Sequence, residues 1–189
     1  LQQLTPEICE PLATMSPALW NAAEKLPLSG RALFASLMDW PRHEDPLTSA
    51  WLAVNAIREW RGDTHWAIMT SENIDGTMAG ILDNAKHNYD DQWLPRSRGA
   101  DDEAISFAFK KLAERGLANG EEVTTKGLEF REELERKLNN MASAAWRNLG
   151  IDQTIQFLEL IEPVGSRYMD HIDRTAGSKW MPAGREVRS

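Results

Sequence analysis

Cysteine is all but missing from this chain: Cys9 is the only one in 189 residues. One thiol forbids an internal disulfide and removes any cysteine-built metal framework. It sits in a proline-flanked stretch with no histidine beside it, which argues against a catalytic thiol. Long apolar runs are missing too. None approaches the roughly 18 residues of a membrane span, so no membrane association is expected. There is no glycine-rich phosphate loop and no nucleophile elbow. His43-Glu44-Asp45 and His87 with Asp90-Asp91 supply metal-ligand types but no ligand spacing, so no metal site is expected and no cofactor can be named. The first thirty residues have no positively charged n-region and carry Glu7, Glu10 and several prolines. They do not read as a signal peptide, and the expected compartment is the cytoplasm. Positive charge is scarce, with a net of -8. A nucleic-acid binder then needs a basic face that the overall balance does not advertise.

What is present is a core. Hydrophobic residues make up 42% of the chain, and there are eight tryptophans. That is enough for one sizeable domain or two small ones, and the indoles hint at a bulky aromatic pocket. Apolar spacing predicts a mostly helical chain. Helices are expected over Ser16–Glu24 with Pro17 at the first turn, over 31–38, and over 48–60, where Trp51, Val54 and Ile57 fall on one face. Gly62 is expected to interrupt the third of these, with Asp63 capping a continuation to Ser71. A further helix is expected over 77–87, then an irregular polar insert over 88–99. The last helix is expected over 152–160. The tail from Pro163 is expected to be partly irregular, or to dock on a partner through Tyr168 and Trp180. The division this implies is an N-terminal helical segment over 1–46, a winged-helix domain over 47–150, and a C-terminal helix with irregular tail over 151–189.

The most specific local pattern lies between 104 and 140. A helix starting at Asp101 ends at Arg115-Gly116-Leu117, a glycine C-cap with a hydrophobic residue behind it. Asn119-Gly120 is a hairpin signal. Val123-Thr124-Thr125 can return as a strand, and Gly127 opens a long amphipathic helix. The spelling Lys110-Lys111-Leu112, Arg115-Gly116-Leu117, Val123-Thr124, Gly127 and Leu134 resembles a MarR-type winged helix. The fold class expected is therefore mainly α: a winged-helix (MarR-like) domain with a small β-hairpin wing plus flanking helices.

That resemblance implies DNA reading, and the charges run against it. The helix that would enter the major groove begins Asp101-Asp102-Glu103. These acids suit a helix dipole but would face phosphates. From Asp101 to Asn140 there are ten acids against seven bases, and the wing tip carries Glu121-Glu122. Candidates for DNA contact are Arg96 and Arg98 ahead of the helix, with Ser106 and Lys110 on it.

A second constellation is Arg61, Asp63 and His65. Arg61 and His65 are four apart and share a face if the helix continues. The plain reading is a helix break with a capping Asp and a satisfied His. The sharper reading makes the three the polar anchors of a small-molecule pocket walled by Trp40, Trp51, Trp60 and Trp66. That pocket would lie between the 48–71 helical segment and the winged helix. His65 is also a candidate acid or base. The Arg-Gly-Asp tripeptide is taken as chance.

The blocks Gly30-Arg31-Ala32-Leu33-Phe34, Trp40-Pro41, Asp45-Pro46, Leu52, Ile57-Arg58-Glu59, Arg61-Gly62-Asp63 and His65 occur in that order. They resemble the signature GRPLF…LPWP…DP…LREHRGDGH of the SalK/EvbL-type helix-turn-helix family. Trp146-Arg147 and Leu149-Gly150 extend the likeness, which covers about 30–160. Trp60 stands where that family often has a second histidine. Family members usually carry a further N-terminal helical portion, so a companion N-terminal chain is one expected partner. A homodimer through the long and last helices is the other. The resemblance implies a transcriptional regulator. Three functions stay open: a winged-helix protein that binds a small molecule and has lost DNA reading, a ligand-responsive MarR-like regulator binding DNA as a dimer, or an enzyme using His65.

Overall fold

Alanine is prominent in the core of the first unit. Ala50, Ala53 and Ala56 recur every three residues along one helix, and Ala22, Ala23 and Ala145 join them, all six without solvent exposure. Small side chains let helix backbones come close and leave larger neighbours to interlock around them. A computed structural model describes residues 1–181 of the chain. Ten helices are labelled here: α1 Cys9–Thr14, α2 Ser16–Glu24, α3 Ala32–Met38, α4 Pro46–Ser71, α5 Gly76–Lys86, α6 Trp93–Arg96, α7 Asp102–Glu114, α8 Thr125–Leu149, α9 Ile151–Ile161 and α10 Gly165–Thr175. Between α7 and α8 lies a hairpin of β1 Ala118–Asn119 and β2 Glu122–Val123. The fold is mainly helical with one two-stranded antiparallel wing. No helix among the described residues is long and apolar enough to cross a membrane.

The chain packs as two units, one of Leu1–Thr64 with Asn140–Ser189 and one of His65–Asn139. The division runs through α4 and α8.

In the first unit α1 packs against α2 and α9. The core gathers Leu19, Phe34, the α4 alanines, Trp60 and Leu149. Polar atoms inside it are paired: Trp20 Nε1 donates to Ser49 Oγ at 2.9 Å, and Asn148 Nδ2 to the Ala22 carbonyl at 3.2 Å. Helix α4 begins at Pro46, two residues before the expected start. Asp45 caps it by accepting the Thr48 hydroxyl at 2.6 Å and the Thr48 amide at 2.8 Å. These bonds, the hydroxyl's first, hold the Asp45 carboxyl below its ordinary value. The expected irregular tail contains α10 instead. Tyr168 Oη shares a 2.6 Å hydrogen bond with Thr5 Oγ1, and Arg167 reaches the Leu4 carbonyl, so this segment docks on the chain's own N-terminal turn. The tail beyond 181 lies outside the described residues.

In the second unit α5 packs on α6 and α7, around Ile81, Leu82, Leu112, Leu134 and Leu138. Asp75 caps α5 through the Met78 amide, and Asp101 caps α7 through the Ala104 amide, both at 2.9 Å. The end of α7 is a Schellman motif. Leu117 N bonds the Leu112 carbonyl, Gly116 N bonds the Ala113 carbonyl, and Gly116 takes the left-handed φ of 70° this requires. The hairpin pairs Ala118 with Val123 and Asn119 with Glu122, so its two-residue loop is Gly120-Glu121. That is one position later than Asn119-Gly120. Thr124 is a helix cap, not a strand residue: its Oγ1 accepts the Gly127 amide at 3.1 Å and donates to the Gly116 carbonyl at 2.9 Å. Gly127 lies inside α8, where a Cβ would meet Val123 Cγ1 at 2.7 Å and the Leu117 carbonyl oxygen closer still. The insert over 88–99 is not loose. Leu94 and Pro95 are buried, and Pro95 packs onto Gly80 of α5.

Candidate functional site

Helix α7 buries Ile105, Ala108, Phe109 and Leu112, and this fixes what it shows to solvent. The exposed set is Asp102, Glu103, Ser106, Phe107, Lys110, Ala113 and Glu114. Phe107 is 57% exposed, and Lys111 Nζ lies 4.7 Å from its ring centre. Lys111 also pairs with Asp75 at 3.4 Å. Of the basic candidates for DNA contact, Arg96 is spent within the unit. Its guanidinium pairs with Asp102 at 2.6 Å and donates to the Asp91 carbonyl at 2.8 Å. Arg98, Ser106 and Lys110 are exposed. Glu121 and Glu122 project at the wing tip. Phosphate contacts need cations at these places, and the face offers two lysines and one arginine among at least five carboxylates.

Helix α4 runs unbroken through Gly62. Asp63 therefore caps no continuation of it. Its Oδ2 accepts the Phe34 amide at 2.9 Å, so it serves the first turn of α3 instead. One residue on, Thr64 is fully buried. Its hydroxyl donates to the Trp60 carbonyl at 2.8 Å and accepts from Arg31 Nε at 3.1 Å. The Arg31 guanidinium lies over the Trp60 ring, 4.6 Å from its centre, and Nη1 donates to the Ser29 carbonyl at 2.8 Å. Trp60 is 2% exposed and donates Nε1 to the Pro27 carbonyl at 3.1 Å. The Gly30–Phe34 block and the Asp63-Thr64 pair, far apart in sequence, thus meet in one polar junction of the first unit. Arg31 and Thr64 were not singled out as anchors from the sequence. The available signal was a lone arginine directly behind a helix-breaking Ser29-Gly30.

The other members of the predicted constellation are placed as follows. Arg61 is on the solvent side of α4 in the first unit. His65 belongs to the second unit, half-buried, with its ring 5.2 Å from that of Trp66 and tilted by 55°. Trp66 is half-exposed and packs its edge against Gly76. In the first unit Trp40 lines a crevice of about 10 Å³ with Trp20, Leu37, Pro41 and Leu52. That is room for about one water. Trp51 lines an open groove of about 600 Å³ with Leu47 and Tyr168. Among the described residues no three His, Cys, Asp or Glu side chains group as metal ligands.

No curated protein and no solved structure matched this chain. One family model did, and it spans residues 1–174. With the α5–α7 arrangement, the hairpin and that match in hand, the chain belongs to a helix-turn-helix family.

Proposed function

We propose that this helix-turn-helix protein binds a small organic anion in its first unit, and that its winged unit serves as a scaffold and not as a duplex reader. The observation behind the ligand site is Arg31. Its guanidinium is half-buried on the face of Trp60, and no carboxylate among the described residues lies within 4.0 Å of it. Two of its nitrogens are engaged with Thr64 and Ser29, which leaves Nη2. A partly desolvated cation without a counter-charge is costly, and a carboxylate or similar group relieves that cost through charge-assisted bonds to a planar fork. The scaffold reading rests on the carboxylates of α7 and the wing.

Native mass spectrometry with benzoate as probe tests the site. The wild-type protein should carry a co-purified acid, or take up one benzoate, and Arg31→Gln should lose it. Arg31→Lys separates charge from shape: it should bind more weakly than wild type but better than Arg31→Gln. Equal masses for wild type and Arg31→Gln under all conditions would overturn the reading.

Family membership favours a second reading, a ligand-responsive regulator of the MarR kind that grips DNA as a dimer. In it Arg98, Ser106 and Lys110 would carry the contacts, with Arg96 freed from Asp102.

A further inference from the structure

Two tryptophans of the first unit already carry a cation on the ring face. The Arg31 guanidinium lies 4.6 Å from the ring centre of Trp60, and that of Arg42 lies 3.4 Å from the ring centre of Trp20. Trp51 differs. It precedes Trp60 by nine positions, about 13 Å along α4 by helical rise, and is 48% exposed. Among the described residues its indole has no hydrogen bond, no cation and no ring partner.

Trp51 lines the groove of about 600 Å³, which lies wholly within the first unit. This volume falls in the range of small-molecule sites. Leu4, Leu47 and the Tyr168 ring share the apolar part of its wall. That wall is fixed before any ligand arrives, which lowers the cost of binding. The Tyr168 hydroxyl shares its 2.6 Å bond with the fully buried Thr5, the Leu1 carbonyl accepts the Thr5 amide at 2.8 Å, and Asp45 caps the helix that carries Trp51. The polar part is mixed. It holds the Gln2 and Gln3 amides, the Thr48 hydroxyl and two titratable side chains, Asp45 and His171. Both bonds from Thr48 end on Asp45 Oδ2 and leave Oδ1 without one. No cationic side chain among the described residues lies within 4.0 Å of this carboxylate. His43 is turned to the backbone, its Nδ1 accepting the Asp45 amide at 3.0 Å.

We propose that this groove is a binding site for a free aromatic ammonium ion, its cation held by the Trp51 ring and the Asp45 carboxylate and its flat body laid against Leu4, Leu47 and Tyr168. The two wall groups that lack a partner are an indole face and a carboxylate oxygen, and both attract positive charge. Indole is the strongest of the aromatic cation acceptors, and in this unit the chain supplies the cation for Trp20 and Trp60 but not for Trp51. The occupant is organic because the remaining wall is largely apolar, and no metal-ligand grouping exists among the described residues.

Isothermal titration calorimetry of the full chain with phenethylamine, and with 2-phenylethanol as its neutral counterpart, tests the proposal. Phenethylamine should bind wild type about fivefold or more tightly than the alcohol. Asp45→Asn removes the charge but keeps a helix-capping oxygen for Thr48. It should weaken phenethylamine about threefold or more and leave the alcohol unchanged. Trp51→Ala, at a half-exposed position, should weaken both probes, and Trp51→Phe should recover part of the loss. Arg31→Gln should change neither, which keeps this outcome separate from the anion site. Equal affinity for the two probes would make the groove a neutral apolar site and overturn the proposal. So would a failure to take up phenethylamine, or binding indifferent to Asp45→Asn or to Trp51→Ala.

Discussion

Asp63 Oδ2 accepts the backbone amide of Phe34 at 2.9 Å. A carboxylate in the middle of one long helix thereby caps the first turn of a short one, 29 residues earlier in the sequence. Phe34 itself is fully buried, so the bond fixes how a core residue enters its helix.

Removing that acceptor should be expensive for a single atom. Asp63→Ala leaves the Phe34 amide without its partner, and the expected loss is about 1–3 kcal/mol. Asp63→Asn keeps an oxygen in place and should lose less than half as much. Urea denaturation of the three proteins measures both. Equal losses for Ala and Asn would mean that the bond contributes through charge alone.

This capping role was out of reach of sequence reasoning, which saw Asp63 behind Gly62 and inferred a helix break. Local signals describe neighbours, and Phe34 is not one. Glycine inside a helix costs only about 1 kcal/mol, an amount that packing on either side overrides in a helix of 26 residues. The wing, by contrast, was legible in outline, with its loop one position off and Thr124 taken for a strand residue instead of a helix cap. Gly116, Gly120 and Thr124 are local devices whose partners lie within eight positions. Arg31 stood inside a recognised block, yet nothing nearby betrayed its stacking on Trp60. The insert at 88–99 read as irregular because polar residues outnumber Leu94 and Pro95, although those two carry its packing.

Gly62→Ala should stabilise the protein. A Cβ at this position meets only the Glu59 Oε2 end of a flexible side chain, at 3.5 Å. The unfolded chain loses freedom, and the expected gain is about 0.5–1 kcal/mol. A lowered melting temperature would show that the glycine serves some need other than helix geometry.

Gly127→Ala should do the opposite. The added methyl group has the Leu117 carbonyl and Val123 in its way. Neither is the free end of a long side chain, so the wing must move. The expected cost is more than about 2 kcal/mol. Thermal unfolding followed by circular dichroism decides it, and a neutral result would mean that the base of the wing is plastic.

Acid should weaken the start of α4 through Asp45. Its folded pKa lies below the ordinary value of an aspartate, because Thr48 bonds the charged form. A depressed carboxylate pKa contributes stability that is present above the unfolded value and lost as pH falls through the folded one. Wild type should therefore lose more stability than Asp45→Ser between pH 5 and the acid limit of folding, and the two should run parallel from pH 5 to 7. Denaturant midpoints across that range provide the comparison. Parallel curves in acid would remove Asp45 from the account.

Duplex DNA should not bind through α7 even where electrostatics are strongest. Polarisation with a labelled random duplex at low ionic strength is the measurement. Saturable binding that falls on Lys110→Ala and Arg98→Ala would restore the regulator reading and displace the scaffold one.

The way the chain divides also sets an order of assembly. His65–Asn139 is a single uninterrupted stretch of the chain. The other unit is split around it, and bonds such as Asn148 to the Ala22 carbonyl join residues 126 positions apart. Its first half must wait, with apolar faces uncovered, while the inner unit forms, and loop closure across such a distance is slow. A chain emerging from a ribosome would thus fold from the middle outwards, and the segment before α4 is the one most dependent on protection during synthesis.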